Sequence, residues 1–353
     1  MNKIVALGYY FVEATAPLEK KNFSIDTVAA DQVVVEVAGC GLCHTDLSFL
    51  SGAVKTKHEL PLILGHEISG KVVAAGASFA KTVGQNVIVP AVLPCGECEL
   101  CRDGRDNICQ NQKMPGNDFN GGFASHIVVP GRCLCTLPDN LGGFKLAQLS
   151  VIADAVTTPY QSMLRSHLKK GDVAIVIGAG GIGTYMIQHA KLAGATVIAI
   201  EISEKRLQVV KSQGADHGIC SANLAEKDIK DQVKTLVSTN KLPKYQWKIF
   251  ETSGSPVGQN LAFSLLTYAS VLGVVGFTME KLSIRLSNLM AFDADVFGNW
   301  GCRPSHYPAV VKLVLEKKIN LLDNIQEFPL SAINDVLTMA KEHKLEKRAI
   351  LMP

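Results

Sequence analysis

The chain has 353 residues, a formal net charge of +3 and a hydrophobic content of 47%. That length exceeds what one core usually serves and predicts two domains with substantial cores. The near-neutral balance makes no electrostatic case for nucleic acid, and no apolar run reaches the roughly 18 residues that cross a bilayer.

The opening MNKIVALGYYF lacks a signal-peptide core and cleavage site, so the sequence predicts a cytoplasmic protein without membrane association. Ten cysteines in such a reducing setting read as metal ligands or buried apolar residues rather than disulfides. Residues 30–150 carry short β-branched runs such as QVVVEVAG, GKVVAAG, NVIVP and HIVVP, broken by glycine and proline. They predict an all-β, barrel-like unit. Within it, GLCHTDLSFL (41–50) sets Cys43, His44, Thr45 and Asp46 side by side, and Gly65-His66-Glu67 follows. Cys43, His66 and one further ligand would leave a fourth zinc position open for water or substrate. Spacing alone does not establish such a site, because a lone cysteine or histidine more often serves packing.

LPCGECELCRDGRDNICQ places Cys95, Cys98, Cys101 and Cys109 in C-x2-C-x2-C-x7-C spacing. Four thiolates close a tetrahedral zinc site with no open position, so its role would be structural. An iron–sulfur cluster uses similar spacings, but the proline that commonly follows the last cysteine is absent. Reduced thiols without metal are the bland alternative.

Near residue 155 the texture changes. From Gly171 apolar strands alternate with helical stretches: VAIVIGAG, a helix near 182–193, TVIAIEIS, a helix near 204–213, KIFETSG and SVLGVVGF. The alternation predicts a parallel sheet with helices on both faces. After 290 come a helix in PAVVKLVLEKK and a terminal strand in RAILMP. Gly178, Gly180 and Gly183 form G-x-G-x-x-G between a strand and a helix, and Glu201 ends the next strand. In that context the pattern marks a dinucleotide site. Gly178 makes the tight turn, Gly180 admits the pyrophosphate, and Gly183 lets helix pack on strand. The helix N-terminus faces the phosphates. Glu201 suits the two ribose hydroxyls and repels a 2′-phosphate, which favours NAD over NADP. A flavin or another nucleotide on a similar turn is the alternative.

GLCHTD, LPLILGHEISGKVVAAG, the four-cysteine lobe, GGFASHIVVP and GAGGIG stand in an order that resembles the zinc-dependent medium-chain dehydrogenase/reductases, the alcohol dehydrogenase superfamily. The resemblance covers nearly the whole chain. It implies an α/β plus β protein: a GroES-like catalytic domain with the zinc lobe (1–155), a doubly wound Rossmann NAD-binding domain (156–290), and a segment returning to the catalytic domain (291–353). Hydride transfer would occur in the cleft between the domains, with two zincs per chain, one catalytic and one structural.

Carried over by position, Cys43 and His66 match catalytic zinc ligands. Asp154 stands where a third ligand, often cysteine, is found, and Glu67 matches a glutamate that approaches the metal when water exchanges. Thr45 matches the hydroxyl that bonds the substrate oxygen and takes its proton. Asp46 matches a carboxylate behind the ligands. His44 matches a pyrophosphate contact, Thr158 a nicotinamide contact, and Arg206 an adenosine contact. Gly181 and Ile182, inside the glycine motif, count with the cofactor residues. Ser48 replaces a histidine that ends the proton relay in many relatives, and Gln85 replaces a common aspartate.

The resemblance implies oxidation of an alcohol to a ketone with NAD. MAFDADVFGNWGCRPSHYPAVVKLVLEKKI resembles the 6-hydroxycyclohex-1-ene-1-carbonyl-CoA dehydrogenases of anaerobic benzoyl-CoA degradation. That implies a cyclic secondary alcohol carried as a CoA thioester. The alternative is a polyol, threonine or general secondary-alcohol dehydrogenase. Phe119, Phe297 and Trp300 would line a ring pocket and Lys55 and Lys57 would meet CoA phosphates, although aromatics and lysines in such stretches are more often core and solvated loop. Two other classes stay open: a zinc-free enoyl or quinone reductase using NADPH, and a non-catalytic dinucleotide sensor. By analogy the chain is expected to be a homotetramer built from dimers, paired through the apolar run 270–278 as an edge strand of the Rossmann sheet.

Overall fold

The structure is a computed structural model, and it describes residues 3–353. The chain forms two compact units, one comprising the residues up to Thr157 together with Gly301–Pro353, the other Thr158–Trp300.

The first unit is mostly β. Its larger sheet has seven strands. In spatial order they run Ile325–Pro329, Arg348–Met352, Gln32–Gly41, Glu67–Ala75, Asn86–Val89 and Cys135–Thr136, with His126–Pro130 also pairing with Gln32–Gly41. A three-stranded sheet joins Glu19–Ile25, Ile4–Phe11 and Leu62–Ile63. Gln32–Gly41 is the hub, antiparallel to three neighbours. Its Val33, Val34 and Val35 are all fully buried. A strand covered on both faces loses polar–apolar alternation, which is why QVVVEVAG reads as a continuous run. The pairing slips between Val37 and Gly39, a local irregularity just before the strand delivers Cys43. The terminal strand Arg348–Met352 lies beside Cys40 and Gly41, so residues more than 300 positions apart become neighbours.

The second unit is a six-stranded parallel sheet. Its order is His217–Cys220, Thr196–Glu201, Val173–Ile177, Lys248–Glu251, Val271–Val274, Asp295–Gly298. In order of sequence that is 3-2-1-4-5-6, the doubly wound dinucleotide-binding arrangement. Val173, Ile175 and Ile177 join one apolar layer, while Ala174 and Val176 join the other. The alternation of side chains along a strand thus feeds two cores, and the helices Gly183–Leu192 and Glu226–Thr239 pack on opposite layers.

One expectation is corrected. The run 270–278 is not an edge strand. Only Val271–Val274 is strand, and it lies inside the sheet because Asp295–Gly298 adds a parallel strand beyond it. The edge strand DVFG is short and largely exposed, so its sequence carries no apolar signal. Residues 291–300 accordingly group with the parallel sheet, and the return to the first unit begins at Gly301. Among the described residues no helix is long and apolar enough to cross a membrane.

Candidate active site

Cys43 is the N-cap of the helix His44–Leu50. Asp46, in the first turn, is fully buried and reaches back: its Oδ2 accepts from Cys43 N–H at 3.0 Å and its Oδ1 from Gly65 N–H at 3.1 Å. One carboxylate therefore ties together the two turns that present Cys43 and His66. Gly65 has φ +94°, a left-handed conformation suited to glycine, and an added Cβ would sit 2.7 Å from Cys40 Sγ.

His66 Nε2 lies 3.8 Å from Asp154 Oδ2, and Cys43 Sγ lies 3.9 Å from the same oxygen. One ligand atom from each of Cys43, His66, Glu67 and Asp154 falls within 4.8 Å of all the others. Burial alone would lower the pKa of His66, but Asp46, Cys43 and Asp154 outweigh it and hold the ring well above its ordinary value. A buried pocket of thiol, carboxylates and imidazole that favours positive charge this strongly fits a divalent cation, and the donor set suits zinc. His66 Nδ1 makes no hydrogen bond and stands 3.6 Å from Asp46 Oδ1. Asp46 thus acts on the cluster through charge and loop anchoring.

Glu67 stands in the cluster with both oxygens engaged. Arg348 Nε donates to Oε2 at 2.7 Å, Arg348 Nη2 pairs with Oε1, and Ala155 N–H donates to Oε1 at 3.2 Å. Arg348 is the member of this cluster's surroundings that the sequence reading missed. KLEKRAILMP offers three cations, and only the register of the final strand selects the one that faces Glu67. Thr45 Oγ1 is 3.7 Å from Cys43 Sγ, at the mouth of the cluster. Ser48 Oγ donates to the His44 carbonyl at 3.1 Å, so its proton is directed to the helix backbone. Burial, then Arg348 and His343, lower the pKa of His44.

The four-cysteine lobe is already close to tetrahedral. Its Sγ–Sγ distances are 3.4 Å (95–109), 3.5 Å (98–101), 3.6 Å (98–109) and 3.9 Å (95–101). A zinc–sulfur distance of about 2.3 Å implies tetrahedral edges of about 3.8 Å. Hydrogen bonds from the backbone lower Cys95 to about 6, while burial pushes Cys101 up to about 12. Four thiolates at this spacing need a cation between them, and the lobe fits zinc.

In the second unit Gly178 has φ +85° and packs its Cα face on Ser253, while a Cβ on Gly183 would overlap the Gly178 carbonyl. A Cβ on Gly180 would meet nothing. The need for glycine there is not internal, which is what a ligand-facing position looks like. Gly181 and Ile182 lead directly into the helix Gly183–Leu192. Glu201 caps this loop: Oε2 accepts from Ala179 N–H at 2.7 Å, and Oε1 accepts from Ile202 and Ser203 N–H at 2.9 and 3.1 Å. Arg206 turns inward, donating to the Ala179 carbonyl at 2.7 Å and to Thr184 Oγ1 at 3.0 Å. It braces the glycine loop. Thr158, buried, accepts from Asn299 Nδ2 at its carbonyl.

The substrate-facing expectations fare less evenly. Phe119 packs against the core of the first unit. Phe297 lies under Arg165, whose Cζ is 4.4 Å from the ring centroid. Trp300 is 52% exposed. Lys57 pairs with Asp118 at 3.5 Å on the surface, and Lys55 is exposed.

This pairing of a β-rich unit carrying a cluster of thiol, imidazole and carboxylates with a doubly wound dinucleotide unit defines a class, the two-domain dehydrogenases. The family model for the alcohol dehydrogenase GroES-like domain matches residues 29–139, and that for zinc-binding dehydrogenases matches 181–316. An alcohol dehydrogenase of Geobacillus stearothermophilus is 30% identical over 345 residues, 95% of either chain. An L-threonine 3-dehydrogenase of Pyrococcus furiosus is 30% identical over 76% of each chain. The crystal structure of the alcohol dehydrogenase of Aeropyrum pernix superposes with a TM-score of 0.88 at 27% identity, covering 98% of this chain and all of that one. The chain belongs to the zinc-type medium-chain dehydrogenase/reductases. It has their GroES-like and Rossmann-like folds, and it is an enzyme acting on CH–OH with a nicotinamide dinucleotide.

Proposed function

We propose that the protein is a zinc-dependent dehydrogenase that oxidises a secondary alcohol to a ketone with NAD. The observation that carries this reading is the convergence of Cys43, His66 and Asp154 on one point. When bound, zinc supplies a Lewis acid for the alcohol or carbonyl oxygen, and NAD supplies the hydride acceptor. The chain's own residues do the rest. Cys43 and Asp154 bring two negative charges that balance a divalent cation, and neutral His66 completes the set. Thr45 accepts a hydrogen bond from the substrate hydroxyl and relays its proton outward. Asp46 keeps the Cys43 and His66 turns in register. Glu201, at the end of its strand, receives the ribose hydroxyls and disfavours a 2′-phosphate. Gly180 to Gly183 present backbone N–H groups to the pyrophosphate, with His44 and Thr158 as further cofactor contacts.

The finer reading is a cyclic alcohol presented as a CoA thioester, supported by the resemblance of the stretch that begins at Met290 to 6-hydroxycyclohex-1-ene-1-carbonyl-CoA dehydrogenases. The threonine dehydrogenase among the relatives favours a second reading, a polyol, threonine or general secondary-alcohol dehydrogenase. A panel of ring alcohols as free acids and as CoA esters, with polyols and threonine beside them, separates the two through NADH absorbance. Remote binding energy from the CoA tail should raise the efficiency of the ester far above that of the free acid. Equal efficiency for ester and acid would remove the CoA reading. A cytoplasmic homotetramer completes the proposal; thiols suited to metal rather than disulfides support the compartment, and sedimentation tests the assembly.

A further inference from the structure

Asp154 follows the 3-10 helix Leu146–Ala153, and its backbone leaves helical geometry at φ −142°, ψ −58°. No regular element therefore fixes its direction. Side chains do so instead, at three consecutive backbone groups. The Ala153 carbonyl accepts from the Tyr307 hydroxyl. The Asp154 carbonyl accepts from Thr157 Oγ1 at 3.5 Å. The Ala155 N–H donates to Glu67 Oε1 at 3.2 Å.

Tyr307 opens the helix Tyr307–Leu315 and is 1% exposed. Its oxygen also accepts from Ala91 N–H at 3.3 Å, and that N–H lies 3.4 Å from the Ala153 carbonyl. One buried oxygen thus joins Ala91, just past the strand Asn86–Val89, to the helix end at Ala153. A carboxylate two bonds from its Cα can meet Cys43 and His66 only if that Cα stays in place.

We propose that Tyr307 is a positioning residue for the catalytic metal: its hydroxyl holds the Ala153–Asp154 peptide so that the Asp154 carboxylate remains within reach of Cys43 and His66. The proposal rests on reading those three residues as a zinc site. A tyrosine that only fills space would act through its ring, and phenylalanine would replace it without effect on metal.

The test uses the full-length chain loaded with zinc, wild type beside Tyr307→Phe. Transfer of zinc to a chromophoric chelator is followed in time, and the four-cysteine lobe serves as the internal standard. The labile zinc of Tyr307→Phe should leave about tenfold faster or more, the scale of lost support behind a metal ligand, with release from the lobe unchanged. Cobalt(II) placed at the labile site should show visible bands shifted from those of the wild type. Replacing Tyr307 by 4-fluorophenylalanine, which keeps the length of the ring and loses the proton it donates, should move both readouts in the same direction, and it decides the matter by the same criteria should Tyr307→Phe fail to fold. Equal release rates and superimposable cobalt spectra overturn the role of Tyr307 while leaving the zinc site standing. A wild-type chain that holds zinc only in the lobe overturns both.

Discussion

Asp154 is the residue on which the metal reading turns. Asp154→Asn exchanges a charged donor for a neutral amide while leaving the shape nearly unchanged. Zinc content should fall from two per chain toward one, and turnover should fall with it by roughly two orders of magnitude; full activity with two zincs would remove Asp154 from the ligand set. Glu201 decides between cofactors. NAD should exceed NADP by at least about tenfold in kcat/KM, roughly 1.4 kcal/mol, and Glu201→Ala should narrow that ratio. Because Glu201 also accepts three loop N–H groups, the variant should weaken NAD binding too, and a ratio that stays wide would show that another group excludes the 2′-phosphate. Burial lowers the pKa values of His44, His126 and His306. Their stabilising effect is present above the unfolded value near 6.5 and is lost as pH falls through that value toward the folded ones. Thermal midpoints of the zinc-loaded enzyme should therefore drop below about pH 6.5, and His126→Asn should shallow the decline.

At the scale of elements, the glycine loop makes two opposed forecasts. Gly183→Ala forces its Cβ onto the Gly178 carbonyl, so it should lower the thermal midpoint and abolish NADH binding together. Gly180→Ala meets nothing in the protein, so it should fold as the wild type does and lose affinity alone. NADH fluorescence titration beside thermal melts separates them; a destabilised Gly180→Ala would mean that the loop packs more tightly than it does here. This region was readable in the sequence because each feature is local: an apolar strand, three glycines and an acidic residue within one β-α-β unit. The edge strand Asp295–Gly298 was not readable, since an exposed strand has no apolar pattern and its partner is chosen by the sheet. The helix Glu226–Thr239 carries a plain helical period, with Ile229, Val233 and Val237 buried four residues apart among charged neighbours. Cys43 and His66 announced themselves through local motifs. Arg348 and Tyr307 did not, because what they touch is set by strand register and helix packing.

For the whole molecule, two donor sets of different kind should give two zincs of different lability. The closed thiolate lobe would hold a metal with four ligands, while the other site would offer three residues and a position for exchange. Phenanthroline should abolish activity at a concentration that leaves the fold intact by circular dichroism. Activity that survives loss of one zinc per chain would disprove the catalytic assignment.

The strand Arg348–Met352 sits between Ile325–Pro329 and Gln32–Gly41, and this position orders events on the ribosome. Cys43, His66 and Asp154 are all translated before the parallel sheet, yet Tyr307 and Arg348, which secure Asp154 and Glu67, are translated after it. Domains tend to fold as they emerge, and residues 158–300 have all six of their strands while the first unit still lacks Ile325–Pro329 and Arg348–Met352. The first unit should therefore complete its larger sheet after the second has formed. On that order the four-cysteine lobe would take up metal first, and the Cys43, His66 and Asp154 set would close last.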